Sequence, residues 1–273
     1  MMKNISFGQY YPAESLIHRL DARAKVILAL LYIVCSFLCK NIISFAALAL
    51  SAVVLVLLSN IPLKAVFRAI RPILFVMLFT VVLNVFWTKG ESPLFSWGIL
   101  TVYPEGLYNA LFMLVRILSL IIGTSIFMTY TTTPIELADA IEQLLAPLKK
   151  IKIPVHEFSM MMTVALRFIP TLIEETEKIT AAQKARGADF SSGGLIKRAK
   201  ALIPILVPLV ISAFRRADEL ATAMECRCYR GGDGRTKLHV LHYDAKDFLM
   251  MAVVVVFGVL LIGLNMLAIG YTM

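Results

Sequence analysis

Two arginine-centred triplets are the residues of this sequence best suited to a specific polar interaction. They are Ala185-Arg186-Gly187 and Cys226-Arg227-Cys228. A guanidinium binds a carboxylate through two parallel hydrogen bonds, and small neighbouring residues allow the backbone to approach a partner closely. Alternatively, each arginine only complements the dipole at the carboxyl end of a helix, which is worth about 0.3 to 1 kcal/mol. The occurrence of two such triplets favours docking onto a partner.

Cysteines and histidines near the second triplet form a candidate metal site. Cys226, Cys228, His239 and His242 all carry side chains that can ligate zinc. A single residue separates the two cysteines, however, which is unusual for a structural zinc site, and both cysteines belong to the arginine triplet. We therefore expect neither a bound metal nor any other cofactor.

Motifs for catalysis or nucleotide hydrolysis are not evident in the sequence. It lacks the Gly-x-x-x-x-Gly-Lys-Ser/Thr pattern of a P-loop. The glycine cluster at 231–234 follows a predicted helix, which is typical of a helix stop rather than of a phosphate-binding loop. Glu174, Glu175 and Glu177 have no companion nucleophile and are interpreted as a solvated helix face. We therefore predict no catalytic residues and a non-enzymatic protein.

The composition of the chain predicts an integral membrane protein. Hydrophobic residues make up 59% of its 273 residues, charged residues make up 16%, and the mean hydropathy is +0.79. A hydrocarbon core of roughly 30 Å requires about 20 mostly apolar residues per helix. Four spans are predicted in the N-terminal membrane region, residues 1–130, and a last span is predicted in residues 247–273. The first four are placed at about 24–39, 42–59, 72–87 and 106–130.

The distribution of Lys and Arg predicts the orientation in the membrane. These residues concentrate before the first span, between the second and third spans, and in residues 131–246. The three basic regions share the cytoplasmic side only if the N-terminus is cytoplasmic and the C-terminus is outside. The net charge of +9 is therefore interpreted as a topological signal and not as a nucleic-acid-binding surface.

Residues 131–246 are predicted to form a cytoplasmic module of one short and two long helices, at about 134–147, 155–187 and 195–230. Thr133 is a suitable N-cap for the short helix, and Pro134 suits its first position. Each long helix begins with an apolar half and ends in a charged half that carries an arginine triplet. Each is therefore predicted to run from a membrane-side half to an arginine tip. The expected fold class is an all-α membrane protein with five spans and this module.

Arg116 lies inside the fourth predicted span, where a charged side chain is costly and often functional. It either lines a substrate path or pairs with an acidic residue or with carbonyl groups where helices pack. We favour structural pairing, since no carboxylate occurs in any other predicted span. Cys35 and Cys39 in the first span are interpreted as packing residues.

With these elements assigned, the sequence resembles the transmembrane T component of energy-coupling factor (ECF) transporters, the EcfT and CbiQ-like family. The resemblance covers nearly the whole chain. Residues 15–25 are similar to the family's N-terminal Leu-Asp-Pro-Arg-Thr-Lys pattern, and the first arginine triplet matches the family signature. In the second triplet the family usually has small residues such as Ala and Gly, whereas this chain has Cys226 and Cys228. Further similar segments are 131–137, 166–170, 182–187 and 224–230.

The resemblance implies a coupling subunit of an ABC-type importer for a vitamin or another micronutrient, in a bacterial cell membrane. Its implied partners are two cytoplasmic ATPases and a small membrane-embedded substrate-binding (S) subunit. The implied ATPase-docking residues are Ala185, Arg186, Gly187, Cys226, Arg227 and Cys228. The apolar halves of the long helices are implied to form a platform for the S subunit. Its residues are Phe158, Met161, Met162, Ala165, Phe168, Ile169, Leu202, Ile205, Leu206 and Leu209.

Two rival classes are less compatible with the sequence. A membrane-embedded enzyme requires a nucleophile or acid/base constellation, and none is apparent. A self-sufficient secondary transporter is typically built from inverted repeats with broken, polar spans, and these are not apparent either. The coupling subunit is therefore the favoured interpretation.

Overall fold

The computed structural model describes residues 10–88, 95–97, 100–152, 154–188, 190, 194–231 and 241–266, most of which are helical. The first helices are α1 (Ala22–Leu38), α2 (Ile42–Ser59), α3 (Leu63–Ile70) and α4 (Leu74–Trp87). Two short antiparallel strands follow, β1 (Phe95–Trp97) and β2 (Leu100–Val102). The remaining elements are α5 (Pro104–Thr124), a π-helical turn (Ser125–Tyr130), α6 (Pro134–Leu144), a 3₁₀ turn (Ala146–Ile151), α7 (Val155–Ala185), α8 (Leu195–Cys226) and α9 (Ala245–Met266). The predicted helical membrane protein is confirmed, and the strand pair is an addition.

The chain divides into two compact units. The first comprises Met1–Gln143 together with Val240–Met273, and the second comprises Leu144–His239. The sequence had placed the short helix with the two long ones, whereas α6 groups with the first unit. Two helix ends also differ from their predicted positions, because α6 ends at Leu144 rather than near 147 and α8 ends at Cys226 rather than near 230.

Local side-chain hydrogen bonds explain where several helices begin. The Glu136 backbone N–H donates to Thr133 Oγ1 over 3.3 Å, and the Thr133 backbone N–H donates to Glu136 Oε2 over 3.1 Å. This reciprocal capping box, followed by Pro134, starts α6 as the sequence predicted. Asn41 and Ser44 form a similar capping box at the start of α2.

The third predicted span, 72–87, has a more complex structure than expected. The amphipathic helix α3 precedes α4, and the two helices meet at a bend of 62°. Pro72 lies in the break, where it has no backbone N–H with which to continue the helical hydrogen bonds. The apolar run visible in the sequence is therefore only the second arm of a bent pair.

Three helices of the described chain are long and apolar enough to cross a membrane. They are Ile42–Ser59, the continuous segment Pro104–Tyr130, and Ala245–Met266. The bent α3 and α4 pair makes a fourth if it is counted as one span. With 17 residues, α1 is at the lower end of the length range of about 17 to 25 residues for spanning helices. The presence of several spans is thus shown, and the number five stays a prediction.

The core of the first unit lies where α1, α2, α5 and α9 pack together. Phe45 stacks on Phe112 with ring centroids 4.6 Å apart, and Tyr32 meets Phe127 edge to face at 6.4 Å. In contrast, α4 has no buried residue and exposes apolar side chains along its length. Such a surface is suited to lipid or to another membrane protein.

A buried lysine ties the start of α1 to the residue that follows the π-helical turn. Lys25 is only 2% exposed, and its ammonium donates to the carbonyl oxygens of Thr131, at 2.7 Å, and His18, at 3.0 Å. A buried charge is tolerated when hydrogen bonds replace its hydration. The lysine of the N-terminal motif therefore has a structural role that its sequence position did not reveal.

The other charged residues of that motif connect α1 to α9. Asp21 caps α1 by accepting from the Arg23 backbone N–H, and its carboxylate pairs with the Arg23 guanidinium at 2.7 Å. The Arg23 guanidinium also lies 3.9 Å from the centre of the Tyr243 ring. The buried Asp247 accepts the backbone N–H groups of Asp21, at 2.9 Å, and Asp244, at 2.7 Å. Together these bonds join the beginnings of the first and last helices.

Arg116 adopts one of the arrangements that the sequence left open. Its guanidinium donates to the Cys39 carbonyl over 2.9 Å and lies 5.1 Å from the centre of the Phe45 ring. This is pairing with a carbonyl group where helices pack. Cys35 and Cys39 are buried free thiols, which agrees with their expected packing role.

The close contact between Gly123 and Tyr32 generates a prediction. A Cβ atom at Gly123 would overlap the buried Tyr32 ring. We expect Gly123→Ala to destabilise the folded protein by about 1 to 3 kcal/mol through overpacking. The measurement is the thermal unfolding midpoint of the purified full chain in detergent. The matched control is Gly263→Ala in α9, where nothing lies within 4 Å of the added atom. Equal midpoints for the two variants would contradict the packing argument.

Candidate docking site

The two long helices of the second unit run in opposite directions. An ion pair joins Glu175 of α7 to Arg216 of α8. Further along α7, the Gln183 side chain donates to the Pro204 carbonyl, near the beginning of α8, over 3.4 Å. Later positions in α7 thus meet earlier positions in α8, which defines an antiparallel pair.

This antiparallel packing corrects the expectation drawn from the repeated sequence plan. The apolar first half of α7 lies beside the charged second half of α8, so the two apolar halves do not lie together. Arg186 and Arg227 consequently mark opposite ends of the helix pair. Glu175, which was interpreted as part of a solvated face, is instead half-buried in the pair, whereas Glu174 and Glu177 are exposed.

Arg186 is the C-cap residue that directly follows α7, before a tight reversal of the backbone. The Gly187 N–H donates to the Lys184 carbonyl at 2.9 Å, and the Ala188 N–H donates to the Gln183 carbonyl at 3.0 Å. Gly187 has φ +87°, in the left-handed region that glycine adopts without penalty. These features define a Schellman motif, which satisfies the free carbonyl groups at a helix end.

Arg227 occupies the same position at the end of α8. The Cys228 N–H donates to the Glu225 carbonyl at 2.8 Å, and the Tyr229 N–H donates to the Met224 carbonyl at 3.0 Å. Cys228 has φ +54°, so a cysteine adopts the left-handed conformation that glycine adopts in the first triplet. Such a residue costs roughly 1 to 2 kcal/mol relative to a right-handed one. The two triplets therefore share one backbone motif despite their different sequences.

Both arginines are available to a partner. Arg186 and Arg227 are exposed, and neither forms an ion pair with the part of the chain that the structure describes. Their neighbours Ala185, Cys226 and Cys228 are also exposed. A guanidinium without an internal carboxylate keeps all of its donors for bidentate contacts to another molecule.

The Arg227 end borders a groove of about 560 Å³. One wall comes from the beginning of α7, at Met160, Thr163 and Val164. The other wall comes from the end of α8 and the residues after it, and includes Met224 and Arg227. The antiparallel packing therefore places a concave surface, with both apolar and charged walls, beside the second arginine.

A proline explains the bond between Gln183 and Pro204. Pro208 has no backbone N–H, so it cannot donate to the carbonyl four residues earlier in α8, which belongs to Pro204. The Gln183 amide of α7 supplies the missing donor. This role of Gln183, just before the first triplet, was not found from the sequence, although the proline spacing signalled a free carbonyl.

The predicted platform residues differ in exposure. On α7, Phe158, Met161, Met162 and Ala165 are exposed, while Phe168 and Ile169 are half-buried. On α8, Leu202 and Leu206 are exposed, Leu209 is half-buried and Ile205 is buried. The pattern along one helical face missed further exposed apolar residues, because this part of α8 is apolar around its whole circumference. They are Ile203, Val207, Val210 and Ile211.

The candidate metal ligands are only partly described. Cys226 and Cys228 are exposed free thiols, and His242 is exposed, while His239 lies outside the described residues. Among the residues that were placed, no group of three or more potential ligands comes together.

Comparisons with known proteins identify the family. The model of the CbiQ family, described as cobalt transport protein, matches residues 13–240. The chain belongs to the CbiQ family. The matched region contains both arginine triplets and all helices from α1 to α8.

Individual relatives of this CbiQ family member agree with that assignment. The energy-coupling factor transporter transmembrane protein EcfT of Ruminiclostridium cellulolyticum is 52% identical over 257 residues, covering 94% of this chain and 96% of the relative. EcfT of Clostridium kluyveri is 52% identical over 250 residues, covering 91% and 92%. EcfT of Bacillus subtilis is 46% identical over 261 residues, covering 96% and 98%. The resemblance drawn from the motifs is thereby confirmed.

The left-handed cysteine of this family member generates a second prediction. We expect Cys228→Gly to stabilise the end of α8 by about 1 kcal/mol, because glycine adopts φ +54° without strain. Gly187→Ala should destabilise the end of α7 by a similar amount. Hydrogen exchange of the Tyr229 and Ala188 amides, which close the two motifs, reports each effect. Cys226→Ala, in regular helix, serves as the control and should leave both amides unchanged. Faster exchange at Tyr229 in Cys228→Gly would contradict the strain argument.

Proposed function

We propose that this protein is the coupling subunit of an ECF-type importer. In this proposal Arg186 and Arg227 each dock onto one of two cytoplasmic ATPases, and exposed apolar faces of α7 and α8 hold a membrane-embedded S subunit. The observation that carries the proposal is the pair of exposed arginines, set in identical helix-end motifs at opposite ends of one antiparallel pair. The names of the EcfT relatives support the same role.

The length of the helices favours two separate docking partners. With 31 residues, α7 is about 46 Å long at 1.5 Å per residue. A standard interface buries about 800 Å² on each partner, which corresponds to a patch roughly 30 Å across. One such patch does not extend over both ends of the pair. Two ATPase subunits, each contacting one arginine, fit the separation better than a single partner.

The bonds between the helices suggest how motion is transmitted. ATP-driven closure of an ATPase pair would change the spacing between its two docking sites. Because the Glu175–Arg216 pair and the Gln183–Pro204 bond join α7 to α8, a pull on either arginine end would be passed to both helices. Since the two apolar halves lie at different ends of the pair, a shift of the helices would change the spacing between the two apolar surfaces. We propose that the S subunit responds to this change of surface.

The substrate belongs to the S subunit in this proposal. The coupling subunit contributes energy transfer, and the imported micronutrient, a vitamin or a metal ion, is bound elsewhere. The proposed orientation places the N-terminus and the α7–α8 pair in the cytoplasm and the C-terminus outside, in accordance with the bias of Lys and Arg.

Charge reversal at the arginine ends tests the docking proposal. We expect Arg186→Glu and Arg227→Glu each to reduce co-purification of the ATPases by tenfold or more, because each change replaces a bidentate donor with a repelling carboxylate. The double variant should lose ATP-driven uptake while still inserting into the membrane. The measurements are affinity purification of the complex and substrate uptake in cells that express it.

Matched controls for this test lie on the same two helices. Lys184→Glu on α7 and Arg215→Glu on α8 each reverse an exposed charge and should retain assembly and uptake. Wild-type uptake by the double Arg186→Glu, Arg227→Glu variant would exclude the proposed role of these residues. Equal losses in the controls would assign the effect to net charge rather than to the two arginines.

Charges on the exposed apolar faces test the platform proposal. We expect Met161→Glu and Leu206→Glu to release the S subunit, because burying an unpaired carboxylate in an apolar interface is costly. The ATPases should remain bound, in contrast to the outcome for the arginine variants. Quantitative mass spectrometry of complexes purified through this chain measures both partners at once.

The control for the platform test is Glu174→Gln, an exposed polar change on α7 outside the apolar half. It should retain all subunits. Retention of a full complement of S subunit in both Met161→Glu and Leu206→Glu would exclude these faces as the platform.

A further inference from the structure

An apolar cavity of about 390 Å³ lies between α2, α3 and α5 in the first unit. Ser119 is the single polar residue in its lining, and the other lining side chains are aliphatic or aromatic. The cavity takes no part in the docking surfaces proposed above. A cavity of this composition is unfavourable for water, since water requires polar partners.

The cavity opens to the outside of the protein. Val53 and Leu57 of α2 and Leu63 and Phe67 of α3 line it, and all four are more than half exposed. The opening therefore lies between the outer faces of α2 and α3. An apolar group from the surroundings can enter there without displacing a structural element.

The helix at this opening has two distinct faces. Leu63, Val66, Phe67 and Ile70 recur at helical spacing and line the cavity. Lys64, Arg68 and Arg71 also recur at helical spacing, on the adjacent face, and all three are exposed. No Asp or Glu occurs anywhere in residues 59–88. Within the described residues, none of the three basic side chains forms an ion pair.

The position of α3 suits the surface of a bilayer. It departs by 62° from the direction of the apolar α4, and Tyr130 holds it in place by donating to the Ala65 carbonyl over 2.7 Å. A short helix with one apolar and one basic face lies along the interface, with its cations at the level of the headgroups. The basic face is thus positioned at the mouth of an apolar cavity.

We propose that this cavity binds an acyl chain of an anionic phospholipid whose phosphate is held by Lys64, Arg68 and Arg71. The apolar lining matches the chain, and the unpaired cations match the headgroup. This inference does not depend on the proposed coupling function.

Native mass spectrometry of the full chain tests the proposal. The protein is released from nanodiscs that contain equal amounts of phosphatidylglycerol and phosphatidylcholine, and the lipids that remain bound are counted. We expect one retained lipid, with phosphatidylglycerol preferred over phosphatidylcholine. The triple variant K64Q/R68Q/R71Q should reduce this preference by about tenfold or more.

A charge-matched control uses three exposed lysines in and just after the 3₁₀ turn. The variant K149Q/K150Q/K152Q removes the same charge and should keep the preference of the wild-type protein. An unchanged preference in K64Q/R68Q/R71Q, or an equal loss in the control, would overturn the proposal. The first outcome would show that the preference does not come from these three cations. The second would show that it reflects general surface charge.

A second variant addresses the cavity itself. Ala52 is buried in the lining, and Ala52→Leu partly fills the space. We expect it to retain neither phosphatidylglycerol nor phosphatidylcholine, with an unchanged thermal midpoint. Retention of phosphatidylglycerol by this folded variant at the wild-type level would place the bound lipid elsewhere and overturn the proposal. If the variant does not fold, the charge variants decide alone.

Discussion

The ion pair between Glu175 and Arg216 is one of two contacts that fix the direction in which the two long helices pack, and the candidate docking geometry depends on it. Each side chain of the pair is about 30% exposed, so the interaction contributes on the order of 1 kcal/mol or less to stability. Its importance lies in alignment, because it holds one position of α7 opposite one position of α8. The Gln183–Pro204 bond adds a second point, and two points define the antiparallel register. Both arginine ends take their positions from that register.

The two helix ends show how different sequences reach one backbone shape. Gly187 adopts a left-handed conformation at no cost, whereas Cys228 adopts it against its intrinsic preference. A strained residue persists where the surrounding structure determines it strongly. At Cys228 the surrounding bonds are those of the Schellman motif, which bring the Cys228 and Tyr229 amides to the last carbonyls of α8. The two triplets therefore share the arginine and the backbone shape of the helix end, although the residue in the left-handed position differs.

Properties that depend on local sequence were predicted well. The apolar runs predicted the membrane helices, and the Thr133-Pro134 pair predicted the beginning of α6. The arginine positions at the ends of α7 and α8 also followed from the sequence. Each of these features is decided within a few residues by burial of apolar surface or by a cap.

Properties that depend on tertiary packing could not be predicted in the same way. A repeated apolar-to-charged plan in α7 and α8 is equally compatible with parallel and antiparallel packing, and the Glu175–Arg216 and Gln183–Pro204 contacts, taken together, distinguish them. The left-handed Cys228 could not be predicted because cysteine rarely adopts that conformation.

Lys25 and Asp247 could not be predicted to be buried, because charged side chains are rarely buried unless they have partners, and those partners are not visible in the sequence. These two residues have backbone partners from distant parts of the chain, whereas Arg186 and Arg227 are exposed and form no ion pair with described residues. Charge thus occurs in two settings: it is buried and satisfied where helices are held together, and it is exposed at the two helix ends that we propose as docking sites.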